Sequence, residues 1–228
     1  MPLSIAIDGP VGAGKSTLSD EVARRLNILH LDTGAMYRAV GLAALERHID
    51  PADEEKVCRM LREQVELSVA YADGAQRTLL NGRDVSDRIR TQQVGGAASL
   101  VSRYAQVRQA MVALQRQIAS RQDMLLDGRD IGTVVLPDAQ VKIFLTASSR
   151  VRAERRMHQL RLRGDQTPYE DILSEVEQRD RQDMNRAVDP LRQAADAVLL
   201  DSSGLSFDET VQAILQIVEA KHGTSNRA

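Results

Sequence analysis

Near the N-terminus the chain reads Gly9-Pro10-Val11-Gly12-Ala13-Gly14-Lys15-Ser16, a glycine-rich stretch that follows a short apolar segment at residues 3–8. The apolar segment has the length and composition of a buried strand. Beyond the glycines, apolar residues from Leu18 to Leu26 recur at helical spacing. A loop of the pattern G-x-x-x-x-G-K-[ST] between a strand and a helix is typical of a phosphate-binding loop.

The residue types of this loop suit a nucleoside triphosphate. Glycines let successive backbone N–H groups turn inward without a Cβ atom blocking a phosphate oxygen, and the positive end of the following helix adds to their field. Lys15 can reach the β- and γ-phosphates, and the Ser16 hydroxyl can ligate Mg²⁺. We therefore predict Mg²⁺ as the cofactor and an ATP site formed by Gly9, Pro10, Val11, Gly12, Ala13, Gly14, Lys15, Ser16 and Thr17.

Composition limits the kinds of protein that the chain can be. Its 228 residues are 43% apolar, which suffices for one sizeable domain. The formal net charge of −2 lacks the broad basic field of a protein that binds long nucleic acid. Cys58 is the only cysteine, which fits a reducing compartment. Because the sequence has neither a membrane-spanning apolar run nor a secretory signal pattern, we expect a soluble, cytoplasmic protein that does not bind membranes. The sequence does not give the oligomeric state, and a monomer is our expectation.

Alternating short strands and helices predict an α/β domain built on a parallel sheet. Apolar runs predict its five strands at residues 3–8, 28–32, 124–127, 141–145 and 197–200. Thr33 is expected to cap a helix over residues 34–46. Between residues 63 and 101 the pattern changes to period two, with turn signals at Asp73-Gly74 and Asn81-Gly82. We interpret this segment as an inserted antiparallel meander.

A first polar cluster, residues 32–38, follows the second predicted strand at the edge where open α/β sheets bind ligands. Asp32 can hold Mg²⁺ through water. Arg38 lies a turn into the next helix and can bind an acceptor phosphate through its fork of donors. An exposed helix face is an equally good interpretation of Arg38.

A second polar cluster, residues 127–133, follows the third predicted strand. It carries Arg129 between the carboxylates of Asp127 and Asp130. Two carboxylates that flank an arginine suit a site that binds both a phosphate and the edge of a base. A functional role is favoured here over a structural turn.

Arginine accounts for 26 of the 30 basic residues, and its planar fork suits several phosphates gathered in one cleft. Arg152 and Arg155–Arg156 fall on one helical face, in a stretch that ends at a glycine and a proline. We interpret this arginine-rich segment as a lid that closes over ATP phosphates. A solvated face paired with Glu154 is the alternative.

A second helical stripe is formed by Arg179, Asp183 and Arg186, whose spacings of four and three residues place them on one face. Such a stripe can hold a ribose and a phosphate together. A charge run of this kind is also common on an ordinary protein surface, and the pattern alone leaves both interpretations open.

These motifs narrow the class of protein and leave alternatives. A GTPase would need the base-reading motif N-K-x-D, and the sequence contains no Asn-Lys pair. The remaining candidates are a small-molecule or nucleotide kinase and a module that binds ATP without turnover. Arginines on both the acceptor and the lid sides favour the kinase, because ATP binding alone does not need them.

The order and spacing of the motifs resemble those of bacterial cytidylate kinases over nearly the whole chain. The resemblance is carried by the glycine-rich loop, residues 31–38, Asn81-Gly82-Arg83-Asp84-Val85-Ser86, Ala97-Ala98-Ser99, Val107-Arg108, residues 127–133, residues 179–183 and Asn185-Arg186-Ala187-Val188. It implies a single P-loop kinase domain with a five-stranded parallel sheet of order 2-3-1-4-5. It also implies an acceptor-binding subdomain at residues 35–105, with the meander inserted at about 63–101, and an arginine-rich lid at residues 150–168 that includes Arg152, Arg155 and Arg156.

The resemblance also implies roles for individual residues. It assigns the cytosine edge to Ser99, Arg108 and Asp130, the acceptor phosphate to Arg38, Arg129 and Arg186, the pentose to Arg179 and Asp183, and a further acceptor contact to Thr33. Lys15, Arg129 and Arg186 would be the catalytic residues. We therefore expect ATP-dependent phosphorylation of CMP and dCMP by direct in-line transfer. Kinases for UMP, AMP, TMP, shikimate or dephospho-coenzyme A are the alternatives within enzymes.

Overall fold

The computed structural model describes residues 2–162 and 164–225. The chain divides into two compact units. The first comprises Leu3–Ile28 together with Leu125–Ala228, and the second comprises Leu29–Met124. Within the described ranges, no helix is long and apolar enough to cross a membrane.

The chain alternates between strands and helices, as predicted. The strands are β1 Ser4–Asp8, β2 Leu29–Asp32, β3 Leu67–Ala72, β4 Ala75–Leu80, β5 Arg83–Asp84, β6 Met124–Gly128, β7 Val141–Thr146 and β8 Val198–Asp201. The helices are α1 Lys15–Leu26, α2 Thr33–Glu46, α3 Glu54–Gln64, α4 Gln92–Val101, α5 Ala105–Ala119, α6 Ser149–Arg161, α7 Tyr169–Asn185 and α8 Phe207–Ser225. A 3₁₀ turn at Arg88–Arg90 and a π-helical turn at Ile131–Val135 complete the set.

The larger sheet has five strands in the order β2-β6-β1-β7-β8. When only these five are counted in chain order, the sequence of strands is 2-3-1-4-5. The pairs β1–β7 and β7–β8 are parallel, with Ile5 opposite Val141 and Ile143 opposite Val198. The predicted α/β fold with a parallel five-stranded sheet is therefore confirmed.

The core of the first unit lies between this sheet and two helices. Buried aliphatic residues of β1, β6 and β7 pack with Leu18 and Val22 of α1 and with Val211 and Ile214 of α8. Leu18 and Val22 are four residues apart and so share one face of their helix. Burying this continuous apolar cluster holds the end of β1 and the start of α1 in place, and the glycine-rich loop connects those two points.

The second unit contains the predicted antiparallel sheet, with three strands in the order β3-β4-β5. Its two turns lie at the predicted dipeptides. Asp73-Gly74 has φ values of 53° and 76°, and Asn81-Gly82 has φ values of 49° and 73°. Positive φ at both central residues is what a two-residue hairpin turn needs to match the twist of its strands. The antiparallel meander is therefore confirmed, but its strands span residues 67–84, and the predicted segment to residue 101 continues as the 3₁₀ turn and helix α4.

Side chains of this small sheet satisfy backbone groups of β2, an edge strand of the larger sheet. The Gln76 side chain accepts a hydrogen bond from the Asp32 N–H at 2.7 Å and donates to the Asp32 carbonyl at 3.3 Å. The Tyr71 hydroxyl donates to the His30 carbonyl at 3.1 Å. These contacts occupy edge groups that would otherwise be available to pair with another strand.

Two local predictions were wrong. Helix α2 begins at Thr33, and its N-cap is Asp32, whose Oδ1 accepts from the Ala35 N–H at 3.0 Å. Asp and Thr are both good caps, so the sequence signal could not separate the two neighbours. Helix α4 was not predicted, because its Gly95–Gly96 pair lowers helix propensity. It packs closely on α2: a Cβ atom at Gly41 would lie 2.9 Å from the Ala98 nitrogen.

Candidate active site

The glycine-rich loop joins β1 to α1 in the first unit, as predicted. A Cβ atom at Gly9 would lie 1.9 Å from the carbonyl oxygen of Leu145, so only glycine fits there. Helix α1 begins at Lys15. The Lys15 side chain is buried, and Lys15 Nζ donates to the Pro10 carbonyl at 2.8 Å. The loop therefore curls over its own lysine at the positive end of a helix, the geometry of an anion-binding site.

Lys15 lies among charged neighbours. Its burial, and next the positive charge of Arg129, lower the pKa of Lys15 to about 7. The carboxylates of Asp127, Asp183 and Asp8 oppose that shift. A bound polyphosphate would add negative charge beside the ammonium group and favour its charged form.

A hydroxyl and a carboxylate meet beside the loop. Ser16 Oγ donates to Asp127 Oδ2 at 3.1 Å, and the Asp127 side chain is buried at the end of β6. Such hard oxygen ligands suit Mg²⁺, which commonly uses one or two protein groups and fills its octahedron with water and substrate phosphates. No cluster of three or more metal-binding side chains occurs in residues 2–162 and 164–225, so a metal here would need those other ligands.

Asp32, the other residue predicted to bind Mg²⁺, belongs to the second unit. Its carboxylate caps α2 through Ala35. A role for Asp32 toward the metal stays a prediction. Asp127 was predicted to lie in a phosphate- and base-binding cluster, and its contact with Ser16 was not foreseen, because the two residues are 111 positions apart.

Two ion pairs join the residues directly after β6 to the end of α7 and the residue that follows it. Arg129 Nε contacts Asp183 Oδ2 at 2.7 Å, and Arg186 Nη2 contacts Asp130 Oδ1 at 3.1 Å. Arg186 also donates through Nε to the Asp189 carbonyl at 2.6 Å. Four residues predicted for substrate binding are thus brought together in the first unit. We refer to Arg129, Asp130, Asp183 and Arg186 as the arginine–aspartate cluster.

The charges of the arginine–aspartate cluster are balanced internally. Burial alone would raise the pKa of Asp183. The charge and hydrogen bond of Arg129 outweigh burial and hold this pKa below its usual value. The nearby charge of Arg179 acts in the same direction. Asp183 therefore stays ionised and orients the Arg129 guanidinium.

Asp8 is a buried carboxylate that was not predicted to belong to the site. Its two oxygens accept from the Ile131 and Gly132 N–H groups, each at 2.8 Å, and so hold the π-helical turn that follows Asp130. Burial raises the pKa of Asp8 to about 6, and the charge of Asp130 adds to the increase. The available sequence signal was its position, an acid between a buried strand and Gly9.

Asp8 gives the folded protein a pH-dependent stability. Since the folded pKa, about 6, lies above the ordinary value of 3.8, the folded state binds the proton more tightly. Its stabilising contribution is complete below pH 3.8 and is lost as pH rises through 6. Relative to Asp8→Asn, the wild type should lose about 2 kcal/mol between pH 4 and pH 7. Urea unfolding of both proteins across this range measures the difference, and parallel curves would contradict it.

Two of the predicted lid arginines contact the glycine-rich loop from α6. Arg152 donates to the Val11 carbonyl at 2.9 Å, and Arg155 lies 3.4 Å from the Ala13 carbonyl. Arg155 also donates to the Ser202 carbonyl at 2.7 Å. Arg156 is half-buried. Arg163, which lies within the predicted lid segment 150–168, is outside the described residues.

Arg179 lies on α7 in the first unit, and the other four predicted substrate residues lie in the second. Arg38 on α2 donates to the Ile89 carbonyl at 3.3 Å, and its Nη1 would lie 3.0 Å from a Cβ atom at Gly95 of α4. Arg108 on α5 is 1% exposed, with its guanidinium carbon 5.8 Å from the centre of the Tyr37 ring. A role for Arg108 toward the base stays a prediction.

Thr33 and Ser99 are the other two substrate residues predicted in this unit. Thr33 is buried at the first position of α2, and Ser99 is half-buried near the end of α4. The Ser99 carbonyl accepts from the Ser102 hydroxyl at 3.2 Å. The packing of α2 on α4 brings the neighbourhoods of Arg38 and Ser99 together within the second unit.

In this chain a phosphate-binding loop joins a strand of a parallel sheet to a helix, and arginines paired with aspartates lie after strand β6. This arrangement defines a P-loop kinase. The family model of cytidylate kinase matches residues 5–220. The chain belongs to the cytidylate kinase family.

Individual relatives agree with the family match. The chain is 47% identical to a cytidylate kinase of Desulforamulus reducens over 215 residues, and this match covers 94% of the chain and 96% of the relative. It is 45% identical over 215 residues to that of Caldicellulosiruptor bescii (94% and 95%) and 44% identical over 220 residues to that of Bacillus subtilis (96% and 97%).

Solved structures with similar architecture share the fold at low sequence identity. A gluconokinase from Sinorhizobium meliloti has a TM-score of 0.51 at 15% identity and covers 100% of this chain and 98% of its own. An uncharacterized protein from Eubacterium ventriosum has a TM-score of 0.54 at 11% identity, covering 96% and 99%. At these identities the likeness concerns the fold alone.

Proposed function

We propose that the chain phosphorylates CMP and dCMP, converting them with ATP to CDP, dCDP and ADP by direct in-line transfer. The proposal is supported by membership in the cytidylate kinase family. The observation that carries it is the buried Lys15 in the glycine-rich loop, in the same unit as the arginine–aspartate cluster. We further propose that the protein is a monomer and that it lies in the cytoplasm, where ATP and the acceptor nucleotide are both available.

The reaction needs no protein nucleophile. An oxygen of the acceptor phosphate attacks the γ-phosphorus of ATP in line, and the protein positions two anions and offsets their repulsion. Lys15 holds the donor phosphates through its ammonium group. Ser16 and Asp127 would hold Mg²⁺, with Asp32 as a further candidate, and the bound ion would neutralise charge on the donor phosphates.

We propose the following roles toward the acceptor for individual residues. The phosphate is assigned to Arg38, Arg129 and Arg186, the pentose to Arg179 and Asp183, the base to Ser99, Arg108 and Asp130, and a further contact to Thr33. Lys15, Arg129 and Arg186 are the proposed catalytic residues. Arg152, Arg155 and Arg156 are proposed to act on the donor side. The ion pairs of Arg129 and Arg186 support this assignment, because a guanidinium already oriented loses less entropy on binding phosphate.

Base recognition gives a prediction about specificity. A carboxylate accepts a hydrogen bond from the cytosine amino group, whereas uracil presents an acceptor there and leaves buried groups unpaired. Asp130→Ala should therefore lower the ratio of kcat/KM for CMP to kcat/KM for UMP by about tenfold, a change of roughly 1.4 kcal/mol. KM for ATP should change little. An equal loss with both acceptors would refute the base-reading role, because Asp130 also pairs with Arg186.

The proposed function is tested by ADP release from Mg-ATP with single acceptors. CMP and dCMP should give the highest kcat/KM and UMP a lower one, with AMP, TMP, shikimate and gluconate near the rate measured without acceptor. If one of those four acceptors gave the highest rate instead, the protein would be a kinase for that acceptor. ATP binding with no ADP release for any acceptor would support the module that binds ATP without turnover.

A further inference from the structure

Arg152 lies against the glycine-rich loop. Its side chain is 6% exposed. Its Nη1 donates to the Val11 carbonyl at 2.9 Å, and its Nε donates to the Ala147 carbonyl at 2.7 Å. A Cβ atom at Gly12 would lie 3.2 Å from the Arg152 Cβ atom, so the main chain of the loop rests directly on this residue.

Asp180 on α7 fixes the plane of that guanidinium. Oδ1 and Oδ2 of Asp180 accept from Nη1 and Nη2 of Arg152 at 3.0 and 2.7 Å. Two parallel charge-assisted hydrogen bonds determine the orientation of an arginine more tightly than one does. The Asp180 side chain is 13% exposed, so solvent screens the pair only weakly.

The contact with the Val11 carbonyl bears on ATP binding. In a trans peptide the C=O and N–H groups point in opposite directions. Turning the Val11 carbonyl toward Arg152 therefore turns the Gly12 N–H away from it. The N–H groups of such a loop are its phosphate ligands, so Arg152 restrains the direction of one of them.

Helix α7 carries two aspartates with parallel tasks. Asp180 orients Arg152, and Asp183, three residues later on the same helix, orients Arg129 of the arginine–aspartate cluster. Residues three apart lie on neighbouring positions of one helical face. The first pair contacts the donor loop, whereas the second belongs to the proposed acceptor site.

We propose that Asp180 is a positioning residue for ATP, which acts through Arg152 to hold the glycine-rich loop in its phosphate-binding shape. The inference rests on the proposed function and deepens it, since it separates Arg152 from a lid that contacts phosphate. Asp180 itself touches no substrate in this account. Its loss should weaken ATP binding while leaving the acceptor site intact.

Asp180→Asn tests this role, with Glu177→Gln as the matched control. Glu177 lies on the same helix one turn earlier, and its Oε1 accepts from the Ser149 hydroxyl of α6 at 3.2 Å. Asp180→Asn should raise KM for ATP by about tenfold or more and change KM for CMP less than twofold. Glu177→Gln should change neither. Asp180→Glu, which keeps the carboxylate, should recover part of the ATP affinity.

The opposite result has a clear meaning. If Arg152 instead leaves the loop to bind ATP phosphates, breaking its ion pair would free it, and KM for ATP would stay constant or fall. A constant or lower KM for ATP would overturn the inference. So would equal rises in KM for ATP and for CMP, or an effect of Glu177→Gln as large as that of Asp180→Asn. If Asp180→Asn does not fold, as judged by thermal unfolding, Asp180→Glu is compared with wild type instead; its rise in KM for ATP should be smaller than tenfold, with KM for CMP again unchanged, and no rise or equal rises would overturn the inference.

The two proposals fail in different ways. Calorimetric titration with Mg-ATP in the absence of acceptor measures the ATP affinity of each variant directly. If the wild type bound ATP but did not phosphorylate CMP, the proposed function would fail, while the effect of Asp180→Asn on ATP affinity would still test the positioning role.

Discussion

Replacing Lys15 with alanine is expected to lower kcat by about 10²- to 10³-fold. The transferring phosphoryl group spreads charge over its equatorial oxygens, and Lys15 is the buried cation of the glycine-rich loop. Its ammonium group is already held there by Pro10, so little reorganisation precedes the reaction. The measurement is the steady-state rate of ADP formation at saturating ATP and CMP.

Lys142 offers a control for loss of a buried lysine. It lies on β7 in the same unit, outside the glycine-rich loop, and its Nζ pairs with Asp196 Oδ2 at 2.7 Å. Lys142→Met should cost stability and leave kcat within about threefold of wild type. Near-normal turnover by Lys15→Ala would overturn the assignment of the loop as the ATP site.

Replacing Arg129 with alanine should lower kcat/KM for CMP by about 10³-fold and also destabilise the fold. The guanidinium is the proposed partner of the acceptor phosphate, and it is also the partner of Asp183 at 2.7 Å. Its removal leaves a largely buried carboxylate without its counter-charge, at a cost of about 3 kcal/mol. Activity assays and thermal unfolding of the same preparation separate the two effects.

A double variant distinguishes catalysis from folding. Arg129→Ala combined with Asp183→Asn removes both charges, so most of the lost stability should return. Activity should not return, because neither substitution replaces the fork that binds phosphate. If activity recovered together with stability, Arg129 would be a structural residue. Arg129→Lys, which keeps the charge without the fork, should be intermediate.

Local signals predicted the glycine-rich loop and the hairpin turns well. Asp73-Gly74 and Asn81-Gly82 adopt backbone conformations that depend on a few adjacent residues, and those residues are visible in the sequence. The alternation of apolar segments likewise predicted the five strands of the parallel sheet. Where the determinants are local, prediction from sequence was sufficient.

Long-range contacts were not predictable in the same way. Asp8 accepts hydrogen bonds from residues 123 and 124 positions away, and no periodicity reports such a contact. Arg152 belongs to a charge run that is typical of an exposed face, yet Asp180 from 28 positions further on pairs with it. Tertiary packing decides such cases, because a buried charge is tolerated only where a partner from elsewhere in the chain meets it.

The central claim is that CMP is the preferred phosphate acceptor, and a competition reaction tests it most directly. Equimolar CMP, UMP, AMP and TMP are mixed with γ-labelled Mg-ATP, and the labelled products are separated at low conversion. The product ratio equals the ratio of kcat/KM values, independent of enzyme concentration. We predict that the label appears mainly in CDP, with UDP a minor product. Label mainly in ADP, TDP or inorganic phosphate would contradict the account.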